Sequence, residues 1–139
     1  MEKPLTQLDY QALAELRYQI RRFLYFSEQA SRAAGLEPRQ HQLMLALKGL
    51  PKDMRPRVGD LAERLQIQHH STVELVNRLA VRGYVRRHRD SQDRREVLIS
   101  LTPKGEKVLR ELSLHHIDEL RQAGPALVAA LKRAMRNSD

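Results

Sequence analysis

The sequence predicts a mainly α-helical protein carrying one small, strongly basic β-hairpin. Three observations lead there. Apolar residues recur at helical spacing through most of the 139 residues. The stretch from Val85 to Thr102, VRRHRDSQDRREVLISLT, instead reads as two short strands around a loop crowded with Arg. A pair of helical segments joined by a tight turn stands immediately before it.

The chain is about one domain in length, and 41% apolar residues are enough for a real core. Six Gly and six Pro are too few for a disordered chain. Aromatics make up only 4% with no Trp, which argues against a stacking platform for single-stranded nucleic acid. The net charge of +8 points to a polyanionic partner, nucleic acid before membrane. Half of that excess lies between Arg82 and Arg95, where six Arg face two Asp. There is no cysteine, so disulfides, thiolate metal ligands and thiol redox chemistry are excluded. No run reaches the length of a membrane span, and MEKPLTQLDY lacks a signal-peptide pattern. The expectation is a cytoplasmic protein that makes no membrane contact.

The first helix is expected from Thr6 to about Ala34, striped by Leu13, Leu16, Ile20, Phe23 and Leu24, with Gly35 as its C′ residue. A helix that long at a chain end implies a partner chain or a second terminal helix. Pro38 opens the next helix at a favourable first-turn position, and Gly49-Leu50-Pro51 breaks it. Val58 to Leu65 forms a short helix, Gln66-Ile67-Gln68 a turn, and His69 to about Arg82 a longer helix. In that last helix Thr72, Leu75, Val76 and Leu79 face inward, and Gly83 stops it. Strands follow at about Val85–Arg89 and Glu96–Leu101. Thr102 caps a new helix with Pro103 at its first position. Gly124-Pro125 is expected to bend the chain before a final short helix holding Leu127, Val128, Leu131 and Met135.

Two helices, a turn and a basic hairpin in this order make a winged helix-turn-helix. Its second helix presents His69, His70, Ser71, Glu74, Asn77 and Arg78 away from the apolar stripe. The N-terminal ones can reach base edges, the backbone N–H groups there can hold a phosphate, and Arg78, further along, suits a phosphate clamp. In the hairpin, Arg89, Asp93, Arg94 and Arg95 surround a loop tip that suits insertion of one Arg into the minor groove, whose negative potential attracts guanidinium, while Arg87, Arg89 and Arg94 mainly supply attraction to the DNA backbone. Asp93 is repelled by phosphate and needs a structural reason to be there. Pairing with Arg95 or a nearby Arg supplies one.

The run Leu61 to Thr102, above all Asp90-Ser91-Gln92-Asp93-Arg94-Arg95-Glu96-Val97-Leu98-Ile99-Ser100-Leu101-Thr102-Pro103-Lys104-Gly105, resembles the MarR family of bacterial transcription regulators. Ser71 to Leu79, followed by Arg82-Gly83-Tyr84-Val85, is similar to that family's recognition helix and its exit. The resemblance covers nearly the whole chain. It implies one MarR-type domain over 1–139, with the winged helix-turn-helix at about 38–102 and dimerisation helices at about 6–34 and 103–136. It implies a homodimer on a pseudo-palindromic double-stranded DNA operator, with Arg95 entering the minor groove and Asp93 supporting it. It also implies a ligand crevice, near Tyr18, Phe23, Tyr25, Phe26 and His41, and the reading is a repressor released by a small aromatic or phenolic effector, with an activator as the alternative. Two departures leave base preference open. Gln68, His69 and His70 stand where many members carry Asp or Ser, and Asn77 stands where an Asp is frequent.

Rival readings are weaker. A metal-responsive regulator of the same fold would need ligands such as Glu111 and His115, one helical turn apart, but the adjacent His115 and His116 point about 100° apart. No catalytic triad, phosphate-cradling Gly loop or apolar carboxylate pair is present to mark an enzyme, and no cofactor is implied. A non-DNA-binding interaction adaptor would show no salt dependence.

Overall fold

The computed structural model describes residues 2–136. Seven elements follow in order: α1 Gln7–Ala33, α2 Pro38–Lys48, α3 Val58–Leu65, α4 His69–Val81, β1 Val85–Arg89, β2 Val97–Leu101 and α5 Pro103–Met135. The described residues divide into two compact units, 31–113 and 2–30 with 114–136, the division passing through α1 and α5. No helix among the described residues is long and apolar enough to cross a membrane.

The 31–113 unit has a conventional core. Leu43 and Met44 of α2, Leu61 of α3, Val76 and Leu79 of α4 and Ile99 of β2 are all fully buried. Each such side chain contributes about 1.5–3 kcal/mol relative to leaving it in water. Thr72 is buried as well, its hydroxyl returned to the Gln68 carbonyl at 3.1 Å, so the α4 stripe turns inward as its spacing predicts.

Local chemistry places the ends of these elements. Gly35 has a φ of +83°, and the Leu36 N–H closes on the Ser31 carbonyl, the left-handed ending expected after α1. Glu37 and Gln40 form a reciprocal capping box at the start of α2, with Pro38 in its first turn. Gly83, at φ +79°, ends α4, and the Tyr84 N–H returns to the Leu79 carbonyl. β1 and β2 pair antiparallel, with Val85 opposite Leu101 and Arg89 opposite Val97.

The start of α5 is tied to the start of β1. The Thr102 hydroxyl donates to the Gly83 carbonyl at 2.5 Å and accepts the Gly105 N–H at 3.1 Å. The Thr102 N–H donates to the Tyr84 carbonyl at 3.1 Å. Gly105 lies so close to that carbonyl that a Cβ would overlap it.

In the other unit, α1 opens with Thr6 and Asp9 capping one another through side chain and backbone. Its stripe behaves differently from expectation. Ala12, Gln19 and Ser27 are buried, whereas Leu13 and Leu24 are 49% exposed. The leucines satisfy helical periodicity, but this chain does not cover them.

Gly124-Pro125 does not end a helix, contrary to the expected bend: α5 runs unbroken to Met135. Pro125 is exposed, so the carbonyl four residues back, at Arg121, forfeits its helical donor on a side open to water. The apolar stripe continues on the opposite side through Leu127 to the buried Ala130, and packing outweighs the missing bond.

The close approach at Gly105 yields a prediction. Gly105→Ala should destabilise the protein by about 1–3 kcal/mol, because the new methyl meets backbone that cannot turn aside. Urea unfolding measures this, and Gly59→Ala, where a Cβ meets nothing within 4 Å, is the control.

Candidate nucleic-acid interface

α4 begins without a side-chain cap. Gln68 holds the N-cap position in extended backbone but contributes no side-chain hydrogen bond. The first helical hydrogen bond runs from the Thr72 N–H to the Gln68 carbonyl. The N–H groups of His69, His70 and Ser71 are therefore left pointing out of the helix end, where a helix favours an anion. His69 and His70 are exposed beside them, and Ser71 is half-buried.

One turn further on, Glu74, Asn77 and Arg78 are also exposed, but they are engaged with neighbours. Arg78 donates to Glu74 at 2.7 Å across one turn, a solvent-exposed pair of little energetic weight. Asn77 Oδ1 accepts from the Arg87 guanidinium on β1. This contact ties the hairpin to α4.

The hairpin tip is held by short-range bonds. Arg89 donates to the Arg94 carbonyl at 3.0 Å. Asp90 Oδ1 accepts the Gln92 N–H at 3.2 Å, and the Glu96 N–H donates to the Asp93 carbonyl at 3.0 Å. Asp93 departs from expectation. Its Oδ1 accepts the backbone N–H of Arg95 at 3.1 Å, and it has no ion pair with the Arg95 guanidinium. An Asp two residues ahead of an N–H closes this local turn more readily than a long, flexible guanidinium can fold back. Asp93 therefore shapes the loop while the Arg94 and Arg95 side chains stay exposed, with no carboxylate within 4.0 Å among the described residues.

Arg55 and Arg57, in the loop between α2 and α3, were not singled out by sequence reasoning. Arg55 meets Asp90 at 2.6 Å and Glu96 at 3.2 Å, and Arg57 meets Glu96 at 3.0 Å and Asp60 at 3.1 Å. The Asp60 hydrogen bond, then the Asp60 charge, with Glu96 adding to both, raises the pKa of Arg57 above its ordinary value. The only sequence signal was two arginines flanking Pro56; their partners on the wing stand more than thirty residues away.

Arg82 anchors the other end of α4. It donates to the Gly35 carbonyl at 2.7 Å and to Gln40 at 3.2 Å. Its guanidinium lies 5.0 Å from the Tyr84 ring centroid, and the Lys104 ammonium, bonded to the Arg82 carbonyl at 2.8 Å, lies 4.5 Å from it. The buried Tyr84 ring thus gathers two cations and sets where α4 ends and β1 begins.

The expected effector residues fall in three places. Phe23 and Phe26 meet His116 edge-on, with ring centroids 6.1 and 5.5 Å apart, and Ser27 Oγ lies 2.8 Å from His116 Nε2. Phe23, Tyr25 and Phe26 line a cavity of about 320 Å³ with Leu120 and Leu127, from whose lining Tyr18 is absent. Tyr18 is 52% exposed, with the Arg22 guanidinium 5.7 Å from its ring. His41 belongs to the 31–113 unit, where it is buried, with Ser31 Oγ 3.0 Å from Nδ1. Among the described residues no three metal-ligating side chains come together.

Residues 34–96 match the model of the MarR family. The HTH-type transcriptional regulator YfiV of Bacillus subtilis is 36% identical over 56 residues, covering 40% of this chain and 35% of that protein. The match thus spans about a third of that relative's length. AbsC, a MarR family transcriptional regulator from Streptomyces coelicolor, has a similar fold at a TM-score of 0.75 and 21% identity, covering 97% of this chain and 94% of that one. A MepR variant of S. aureus bound to an oligodeoxyribonucleotide gives a TM-score of 0.65 at 22% identity, covering 86% and 81%. The chain carries the winged-helix fold of these regulators, and its residues 34–96 match the MarR family over a little under half of its length.

Proposed function

We propose that this protein is a sequence-specific, double-stranded DNA-binding transcription regulator, acting in the cytoplasm as a homodimer on a pseudo-palindromic operator. One observation carries the reading. An uncapped helix N-terminus and a wing tip with unpaired guanidinium groups belong to the same compact unit, one suited to the major groove and the other to the minor.

In this reading His69, His70 and Ser71 meet base edges and a phosphate at the start of α4, with Glu74 and Arg78 behind them. Arg95 enters the minor groove from a loop shaped by Asp93, and Arg94 adds attraction to the backbone. Arg89 serves the tip from within through the Arg94 carbonyl, and Arg87 with Asn77 sets the angle between hairpin and helix.

The exposed apolar residues of the terminal helices support a second copy. Leu8, Leu13 and Leu24 of α1, and Ile117, Leu120, Val128 and Leu131 of α5, are each 41–67% exposed. Monomeric proteins rarely leave so much apolar surface uncovered. The cavity beside Phe23 and Phe26 supports a small aromatic effector, and release from DNA makes the regulator a repressor. Such a ligand works by favouring a spacing of the two recognition helices that misfits the half-sites.

The test uses duplex fragments that the protein selects from its own genome. Arg95→Ala should weaken binding by about tenfold or more while the unfolding midpoint stays unchanged. The log–log salt slope should also become shallower by about one for each phosphate no longer neutralised. An unchanged dissociation constant overturns the wing assignment, and salt-independent binding overturns the DNA-binding reading.

A further inference from the structure

Two cations outside both the recognition helix and the wing reach the wing's base. Arg55 Nη2 donates to Asp90 Oδ2 at 2.6 Å and lies 3.2 Å from Glu96 Oε2. Arg57 Nη1 donates to Glu96 Oε1 at 3.0 Å, and its Nε donates to Asp60 Oδ2 at 3.1 Å. The same Asp60 oxygen accepts the backbone N–H of Arg55 at 3.1 Å. Between the two arginines, the Pro56 carbonyl accepts the Ile99 N–H at 2.8 Å. These bonds run without a gap from the first turn of α3, through the loop, to the middle of β2 and to both ends of the wing loop.

Asp90 and Glu96 stand where the strands stop and the tip begins, with the Asp90 N–H bonded to the Glu96 carbonyl at 3.0 Å. Their side chains are 14% and 19% exposed, against 47% for each arginine. Two carboxylates side by side and largely shielded would repel each other if left unpaired. A lone pair at the surface is worth little, but here each cation touches two carboxylates and backbone bonds hold the same loop. A two-stranded hairpin is marginal by itself, and the Pro56–Ile99 bond gives this one a further anchor.

We propose that Arg55 and Arg57 are positioning residues that aim the wing tip through Asp90 and Glu96, so these two acidic side chains favour duplex binding in spite of their charge. The proposal rests on the DNA-binding reading. It sets two effects against each other with opposite signs. Were Arg55 and Arg57 simply phosphate contacts, neutralising either carboxylate would free a cation and remove a repulsion, and binding would tighten. If they act as a brace, neutralisation lets the tip swing, and binding to the selected duplex weakens.

Anisotropy titrations of the full chain across a salt series decide the matter, using both a duplex selected from the genome and a scrambled one. Asp90→Asn and Glu96→Gln should each weaken binding to the selected duplex by about threefold to tenfold. Binding to the scrambled duplex should hold or tighten, since the protein has become more positive. Asp90→Glu and Arg55→Lys, which keep the charges, should retain most of the affinity. Unchanged or tighter binding of the selected duplex by both neutralised variants overturns the brace while leaving the DNA-binding reading intact. A wild-type protein that selects no duplex overturns both.

A measurement without DNA keeps the proposal exposed even if a variant folds poorly. In the free protein, Arg55→Ala should speed amide exchange at Asp90, Glu96 and Ile99 more than at Val76 or Leu79 of α4. Equal protection at all five amides also overturns the brace.

Discussion

Like charges held close together govern the architecture of this protein. Six arginines fall within the fourteen residues from Arg82 to Arg95, and in water alone such a segment would extend and fluctuate. The fold assigns most of these guanidinium groups a partner that also has a structural role. Arg82 goes to Gly35 and Gln40, Arg86 to Ser100, Arg87 to Asn77, and Arg89 to the Arg94 carbonyl. These partners are neutral oxygens, so the segment keeps its positive potential while its freedom is reduced. Arg94 and Arg95, at the far end, keep exposed side chains.

The same logic places the acidic residues. Asp90 and Glu96 are held at the base of the loop by arginines from a different segment, and Asp93 is turned towards a backbone N–H. The carboxylates thus sit at the base and within the turn, while cations occupy the tip. A hairpin with the same composition in another order would put negative charge forward and weaken its attraction for a polyanion.

Below the hairpin, α4 is held at both ends. Thr72 and Gln68 close its first turn, while Arg82, Tyr84 and Lys104 lock its exit against the turn after α1. Thr102 joins the Gly83 carbonyl to the start of α5 with one hydroxyl that both donates and accepts. The result is a rigid frame of helix ends and strand ends around a small apolar core. Within the 31–113 unit the outward side of α4 and the hairpin tip stay exposed beside this frame.

The order of elements, the inward face of α4, the endings at Gly35 and Gly83 and the cap at Thr102 were all legible in the residues. Each depends on chemistry within four or five positions, where spacing alone sets geometry. Gly124-Pro125 misled because a local breaker was outweighed by a stripe that buries its side chains through packing. Leu13 and Leu24 had the right period for a core but face outward, since periodicity says that a face is apolar and not what covers it. The amino-acid sequence by itself determined where cations accumulate and which side of α4 turns into the core. Only the tertiary structure decided which carboxylate each cation answers, because Arg55 and Arg57 meet Asp90 and Glu96 across more than thirty residues of chain, and pairing over that separation is set by folding.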